Sequence, residues 1–114
     1  MTEVVLIEAT EAFTHVAVRG RLDAAGVGEV DLKLTAQTAA RRKPAIIDLT
    51  EVGFMASLGI GMLVTIAKSM RARGLHVVVV AGSPVGDVLR MTNIASLIPV
   101  VATREDAIRV LGAA

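Results

Sequence analysis

The hydrophobic pattern changes period several times along the chain. Val4 to Ala9 is apolar and β-branched, and Phe13 to Arg19 sets Phe13, His15 and Ala17 against Thr14, Val16 and Val18. Alternation of this kind predicts two pairing strands, with "TEA" between them as a tight turn. After "RGRLD" the period lengthens. Val27, Val30, Leu34 and Thr38 recur at helical spacing, with Asp23 placed as the cap, and Pro44 bars continuation beyond about Arg42.

Ala45 to Leu49 is a continuous apolar run broken only by Asp48, the pattern of a strand covered on both faces. A turn at "FMAS" then leads into a helix from Ser57. Its inward face is expected to be Ile60, Leu63, Val64, Ala67 and Met70, and its end Arg71, Arg73 and Gly74. "HVVVVA", His76 to Ala81, is the next strand. In "GSPVGDVLRMTN", Ser83 is the expected cap, Pro84 the first helical residue and Asn93 the left-handed stop. Leu97 to Val101 reads as a last strand, and "TREDAIRVLG" as a last helix capped by Thr103 and ended by Gly112.

Strands and helices therefore alternate after the opening hairpin. Such an order predicts one α/β domain over residues 1–114, a mostly parallel five-stranded sheet with an antiparallel N-terminal hairpin at its edge and about four helices. No repeat, linker or low-complexity segment interrupts it.

Composition narrows the picture. Hydrophobic residues are 54% and aromatic ones 2%, so the core is aliphatic and disorder is excluded. The formal charge is +1, and the cluster Arg41, Arg42, Lys43 has no interleaved aromatics, which reads as a solvated helix end rather than a nucleic-acid patch. The absence of cysteine removes disulfides and thiolate chemistry and fits a reducing cytoplasm. Acids near the N-terminus argue against an export signal. Val52 to Ala67 carries no charge but falls short of the roughly 20 apolar residues that span a bilayer, so no membrane insertion is expected.

Ser57 is the one residue with reactive chemistry in "FMASLGIGML". Catalysis would require a base, yet His15 and His76 both fall in predicted strands and the G-x-S-x-G elbow is missing. His15 is expected to be half exposed, and the two histidines have no metal-ligand spacing. Asp48 and Glu51 flank a predicted strand end, where turn and cap roles are usual. "GIG" lacks the third glycine of a dinucleotide fingerprint, Val64 standing there, and its ribose-binding acid. Gly59 and Gly61 read instead as small residues for close packing. No cofactor or metal site is expected.

Ser57 then has two compatible readings at a helix start, as a cap and as a modification site. A phosphate there would add roughly −1.5 to −2 charge beside a positive helix end, leaving the fold unchanged while the surface reverses in character. Leu58, Met62, Ile66 or Thr65, and Ser69 fall on the side away from the predicted core face. They would form an apolar strip next to Ser57, unless the helix simply buries a wide face.

"IIDLTEVGFMASLGIGMLVTIAKSMRARGLHVVVV" resembles the central signature of STAS domains, the anti-sigma factor antagonists. "VRGRLDAAG" and "VLRMTNIASLIPV" are similar to the family's first-helix and third-helix segments, so the likeness covers nearly the whole chain. The resemblance implies a non-enzymatic binding protein. In the family the unmodified antagonist binds an anti-sigma factor serine kinase and frees a sigma factor, phosphorylation breaks the complex, and a phosphatase restores it. By position the phosphoacceptor is Ser57, with Asp23 near the partner surface and Asp48 as the strand-end acid. Many members have aspartate before the acceptor and serine or threonine after it, where this chain has Ala56 and Leu58.

The expected partner surface is therefore Asp23, Ala56, Ser57, Leu58, Met62 and Ile66. Related domains also serve as scaffold or lipid-transport components, so a constitutive subunit without a phospho-switch is the alternative. A nucleotide-using enzyme rests only on "GIG".

Overall fold

A computed structural model of the chain describes residues 1–113; Ala114, the last residue of the expected domain, lies outside the described residues. Strands β1 (Glu3–Ala9) and β2 (Thr14–Leu22) form the predicted antiparallel hairpin. They are followed by α1 (Ala24–Gln37), β3 (Ala45–Met55), α2 (Ser57–Arg71), β4 (Val77–Val80), α3 (Val85–Met91), β5 (Val100–Val101) and α4 (Arg104–Ala113). Short 3₁₀ turns at Ala39–Arg41 and Ile94–Ser96 follow α1 and α3. The sheet order is β1-β2-β3-β4-β5, antiparallel at the first pair and parallel elsewhere.

The expected architecture is present, and its elements depart from the predicted boundaries for local reasons. β3 is much longer than Ala45 to Leu49, because Val52 and Met55 continue to point inward and β2 pairs with it as far as Leu22–Met55. α1 stops at Gln37, where the Thr38 hydroxyl donates to the Leu34 carbonyl at 2.7 Å and the chain tightens into a 3₁₀ turn. β5 is only two residues long because the Leu97 and Ile98 N–H groups turn back to the Ile94 carbonyl, at 2.9 and 2.8 Å, so the chain extends only after Pro99. His76 precedes β4 rather than opening it, and α4 continues past Gly112.

At α3 the cap position belongs to Pro84, and the Ser83 hydroxyl is engaged with the Asp87 carboxylate at 2.9 Å. Asn93 adopts the left-handed conformation expected of it, with φ of 63°, and Gly74 does the same after α2, with φ of 73°. Thr103 accepts from the Asp106 N–H at 3.1 Å, as a capping residue should.

Two unequal cores result from the alternation of strand side chains. Val16, Val18, Ile47, Leu49, Val77 and Val79 join α1, α2 and α3 in the large core on one face. Ile46, Val78 and Val80 face the other way and meet Ala107 of α4. All four β4 residues are buried, which is why that strand reads as an unbroken valine run.

His15 faces the α4 side and, contrary to the expectation of a half-exposed residue, is only 3% exposed. β1 and β3 enclose it from both sides. Its Nδ1 lies 3.9 Å from Glu8 and its Nε2 3.7 Å from Asp48, both beyond hydrogen-bond reach, while Arg104 of α4 pairs with Glu8.

The glycines divide by what surrounds them. A Cβ on Gly26 would stand 1.7 Å from the Arg21 carbonyl, and one on Gly59 would stand 3.0 Å from the Leu22 Cβ. These two let α1 and α2 sit down on the end of β2. Gly61, expected to do likewise, has nothing within 4 Å and faces outward. Gly26→Ala should therefore destabilise strongly, whereas Gly61→Ala should stabilise by about 0.5–1 kcal/mol through helix propensity alone. Urea unfolding of the two variants should give shifts of opposite sign.

Candidate functional site

The parallel pairing of β2 with β3 brings their C-terminal ends together, and with them the starts of α1 and α2. The joint is a backbone contact, Ala56 N–H donating to the Leu22 carbonyl at 2.9 Å. Asp23 and Ser57 thus lie on neighbouring connections at one rim of the sheet.

The two helix starts differ in charge. Asp23 caps α1, its carboxylate accepting from the Gly26 N–H at 2.8 Å. That hydrogen bond is the main reason the Asp23 carboxyl is held below its ordinary value near 3.8; the Arg21 guanidinium at 3.4 Å adds to it. α2 has no such partner. Its cap is Ala56, extended at φ −96° and ψ 170°, with no side-chain oxygen and no acid in the first turn.

Ser57 is therefore not the cap that was expected. Met55 is the last strand residue and the bond from Ala56 to Leu22 ends the extended segment there, so Ser57 is already the first residue of the helix. It is exposed, and its hydroxyl makes no hydrogen bond to the described residues. The Gly59 and Ile60 N–H groups are returned to the Ala56 carbonyl, which leaves those of Ser57 and Leu58 at the positive end of an uncompensated helix. An added anion at Ser57 meets free donors and a favourable dipole.

Around Ser57 the surface is partly apolar. Leu58 is 54% and Phe54 41% exposed, and the Arg21 guanidinium lies 4.5 Å from the Phe54 ring centroid. A groove between α1 and α2, lined by Val27, Asp31, Leu58, Gly61, Met62 and Thr65, continues from there. Phe54 and Arg21 were missed as surface residues, because the strand was expected to end before them. The signal was Val52, Gly53, Phe54, Met55, whose inward positions bracket two outward ones.

Of the rest of the expected strip, Thr65 and Ser69 are exposed, but Met62 and Ile66 do not reach the surface. Met62 is 6% and Ile66 2% exposed; both are buried with Gly59, Leu63, Ala67 and Met70, while Ile60 and Val64, expected inside, are half buried. α2 packs against α1 as well as the sheet, which rotates its apolar face toward Met62 and Ile66. Of the six expected partner residues, the structure brings Asp23, Ala56, Ser57 and Leu58 together at the rim. Asp48 is not at a strand end either. It lies within β3, beside His15, and accepts from the Thr50 N–H at 2.8 Å. Among the described residues no group of His, Cys, Asp and Glu could hold a metal ion.

The uncapped start of α2 makes a stability prediction. Ala56→Asp should supply the missing acceptor and stabilise by about 1 kcal/mol, read from chemical unfolding. At α1, Asp23→Ala should lower the melting temperature and Asp23→Asn should largely preserve it. Because the folded-state pKa of Asp23 is lowered, its ionised form contributes stability above about pH 3.8, and this is lost as pH falls through the folded value. The gap between wild type and Asp23→Ala should narrow over that acid range.

The profile of the STAS domain family matches residues 5–107. No curated protein sequence matches the chain. Among solved structures, an anti-sigma factor antagonist from Mycobacterium paratuberculosis superposes with a TM-score of 0.85 at 21% identity, covering 97% of this chain and 94% of that one. An anti-sigma-factor antagonist (STAS) domain protein from Planctomyces limnophilus gives 0.79 at 21% identity over 96% and 97%. The Bacillus cell fate determinant SpoIIAA in its phosphorylated form gives 0.68 at 20% identity over 96% and 99%. With the hairpin-edged sheet and the matching profile over nearly its whole length, the chain belongs to the STAS domain family.

Proposed function

We propose that this chain is a cytoplasmic, non-enzymatic anti-sigma factor antagonist. It binds an anti-sigma factor serine kinase through the rim formed by Asp23, Ala56, Ser57 and Leu58, and so releases a sigma factor. Phosphorylation of Ser57 switches it off: the γ-phosphoryl group of ATP passes to the Ser57 oxygen, ADP leaves, and the hydroxyl proton goes to a base of the kinase. A phosphatase reverses the step. The observation that carries this reading is the exposed, unbonded Ser57 hydroxyl at an uncapped helix start, beside exposed Leu58 and Phe54. Kinship with structures of anti-sigma factor antagonists, one of them in a phosphorylated form, supports it.

A second reading is favoured by Ala56 and Leu58 themselves. Where many relatives carry an acid and a hydroxyl, this chain presents two apolar side chains, as a permanent contact would. The chain would then be a constitutive subunit of a larger regulatory or lipid-transport assembly.

Incubation with the kinase and ATP, followed by mass mapping, separates the two. Label at Ser57 supports the switch, and a labelled protein without label at Ser57 refutes it. Ser57→Asp should weaken kinase binding at least tenfold, about 1.4 kcal/mol, since it sets a charge against an apolar contact. Unchanged affinity would favour the constitutive subunit.

A further inference from the structure

At the pole opposite Ser57, across the length of α2, about 22 Å at the usual helical rise, stands a group of cations that no acid among the described residues answers. Five of the nine arginines are ion-paired: Arg19 with Glu51, Arg21 with Asp23, Arg90 with Asp87, Arg104 with Glu8 and Arg109 with Asp106. The other four, Arg41, Arg42, Arg71 and Arg73, have no carboxylate within 4.0 Å among the described residues. All four lie where α1 and α2 end.

Helix dipoles account for Arg41 and Arg71, which fall in last turns. They do not account for the placing of Arg42 and Arg73, which lie past the helix ends and line one concavity together with Leu75. Arg73 is held there by a bond to the Ala39 carbonyl at 2.5 Å, and Arg42 makes no hydrogen bond to the described residues. Two guanidinium groups facing one hollow without an acid between them repel, and an incoming carboxylate relieves that cost while accepting their paired N–H groups.

Leu75 also borders the adjoining cavity, of about 120 Å³, whose walls include Arg71, His76, Leu97, Pro99 and Val110. The hollow with the two arginines and a recess walled in part by aliphatic side chains therefore share one residue. We infer that this pole is a second docking site, for an acidic peptide segment of a partner protein that places a carboxylate between Arg42 and Arg73 and an aliphatic side chain against Leu75 and Pro99. Neither phenylalanine borders these hollows, so there is no platform for stacking bases. A recess takes a side chain, whereas a bilayer surface would need a flat or protruding face. The site is distinct from the Ser57 rim and does not depend on its role.

Fluorescence anisotropy with labelled Gly-Glu-Glu-Leu-Glu-Glu-Gly, and with the same peptide carrying Ser for Leu, tests the proposal. Wild type should bind the leucine peptide at least fivefold more tightly than the serine peptide. Arg42→Glu, which removes no bond within the fold, should weaken the leucine peptide at least tenfold. Lys33→Glu, the same charge change on α1, should weaken it less than twofold, and Leu75→Ser should abolish the preference for leucine. Ser57→Asp should leave binding unchanged, so that failure here and failure of the kinase-switch reading are read separately. No binding, equal affinity for the two peptides, equal losses in Arg42→Glu and Lys33→Glu, or a tenfold loss in Ser57→Asp would each overturn it. So would sedimentation of wild type with phosphatidylglycerol–phosphatidylcholine vesicles without peptide binding.

Discussion

The pairing of β2 with β3 is the constraint on which the rest of this molecule depends. β4 stays with β3 only to Asp48, but β2 follows it for seven residues more, to Leu22 opposite Met55. That extension carries two strand ends to a common rim and makes the starts of α1 and α2 neighbours. The helices can sit so close because Gly26 and Gly59 have no side chains to collide with Arg21 and Leu22. Leu22 is at the centre of the joint: its side chain is fully buried, its carbonyl holds Ala56, and its Cβ meets Gly59.

This geometry gives the protein two ends of different character. At the Ser57 rim, acids are already in use, Asp23 on its helix and Glu51 on Arg19, and the one helix start left without an anion belongs to α2. At the far end, where α1 and α2 finish, guanidinium groups gather around two hollows that share Leu75. The small excess of positive charge in the composition conceals this separation. Net charge describes solubility and long-range steering, whereas docking is governed by where each sign collects.

What could be read from the sequence was whatever the local period dictates. Val27, Val30 and Leu34 mark the buried face of α1 without help from the rest of the fold, and the valine run of β4 was the most strand-like stretch of the chain. Asp23 was legible as a cap because an acid before a helical period has few other uses. Ser57 misled by the same rule, since a hydroxyl near a helix start looks like a cap; its true place one residue later depended on how far β2 would hold β3 extended. Met62 and Ile66 depended on a neighbouring helix, which periodicity within α2 cannot report. His15 was hidden by alternation itself, which says which face a residue takes and is silent on what covers that face. The pole of unpaired arginines required knowing which carboxylates each cation can reach, a property of folded distances alone.

The bond from Ala56 to Leu22 has a consequence for how the rim can convey information. The start of α2 is fastened by the Ala56 backbone to the adjacent strand. A phosphate on Ser57, as proposed above, would sit one residue beyond this tie. Under the proposed switch its message would be chemical, legible to a partner that presses on the rim, and the domain would serve as a plate that displays the mark rather than a machine that responds to it.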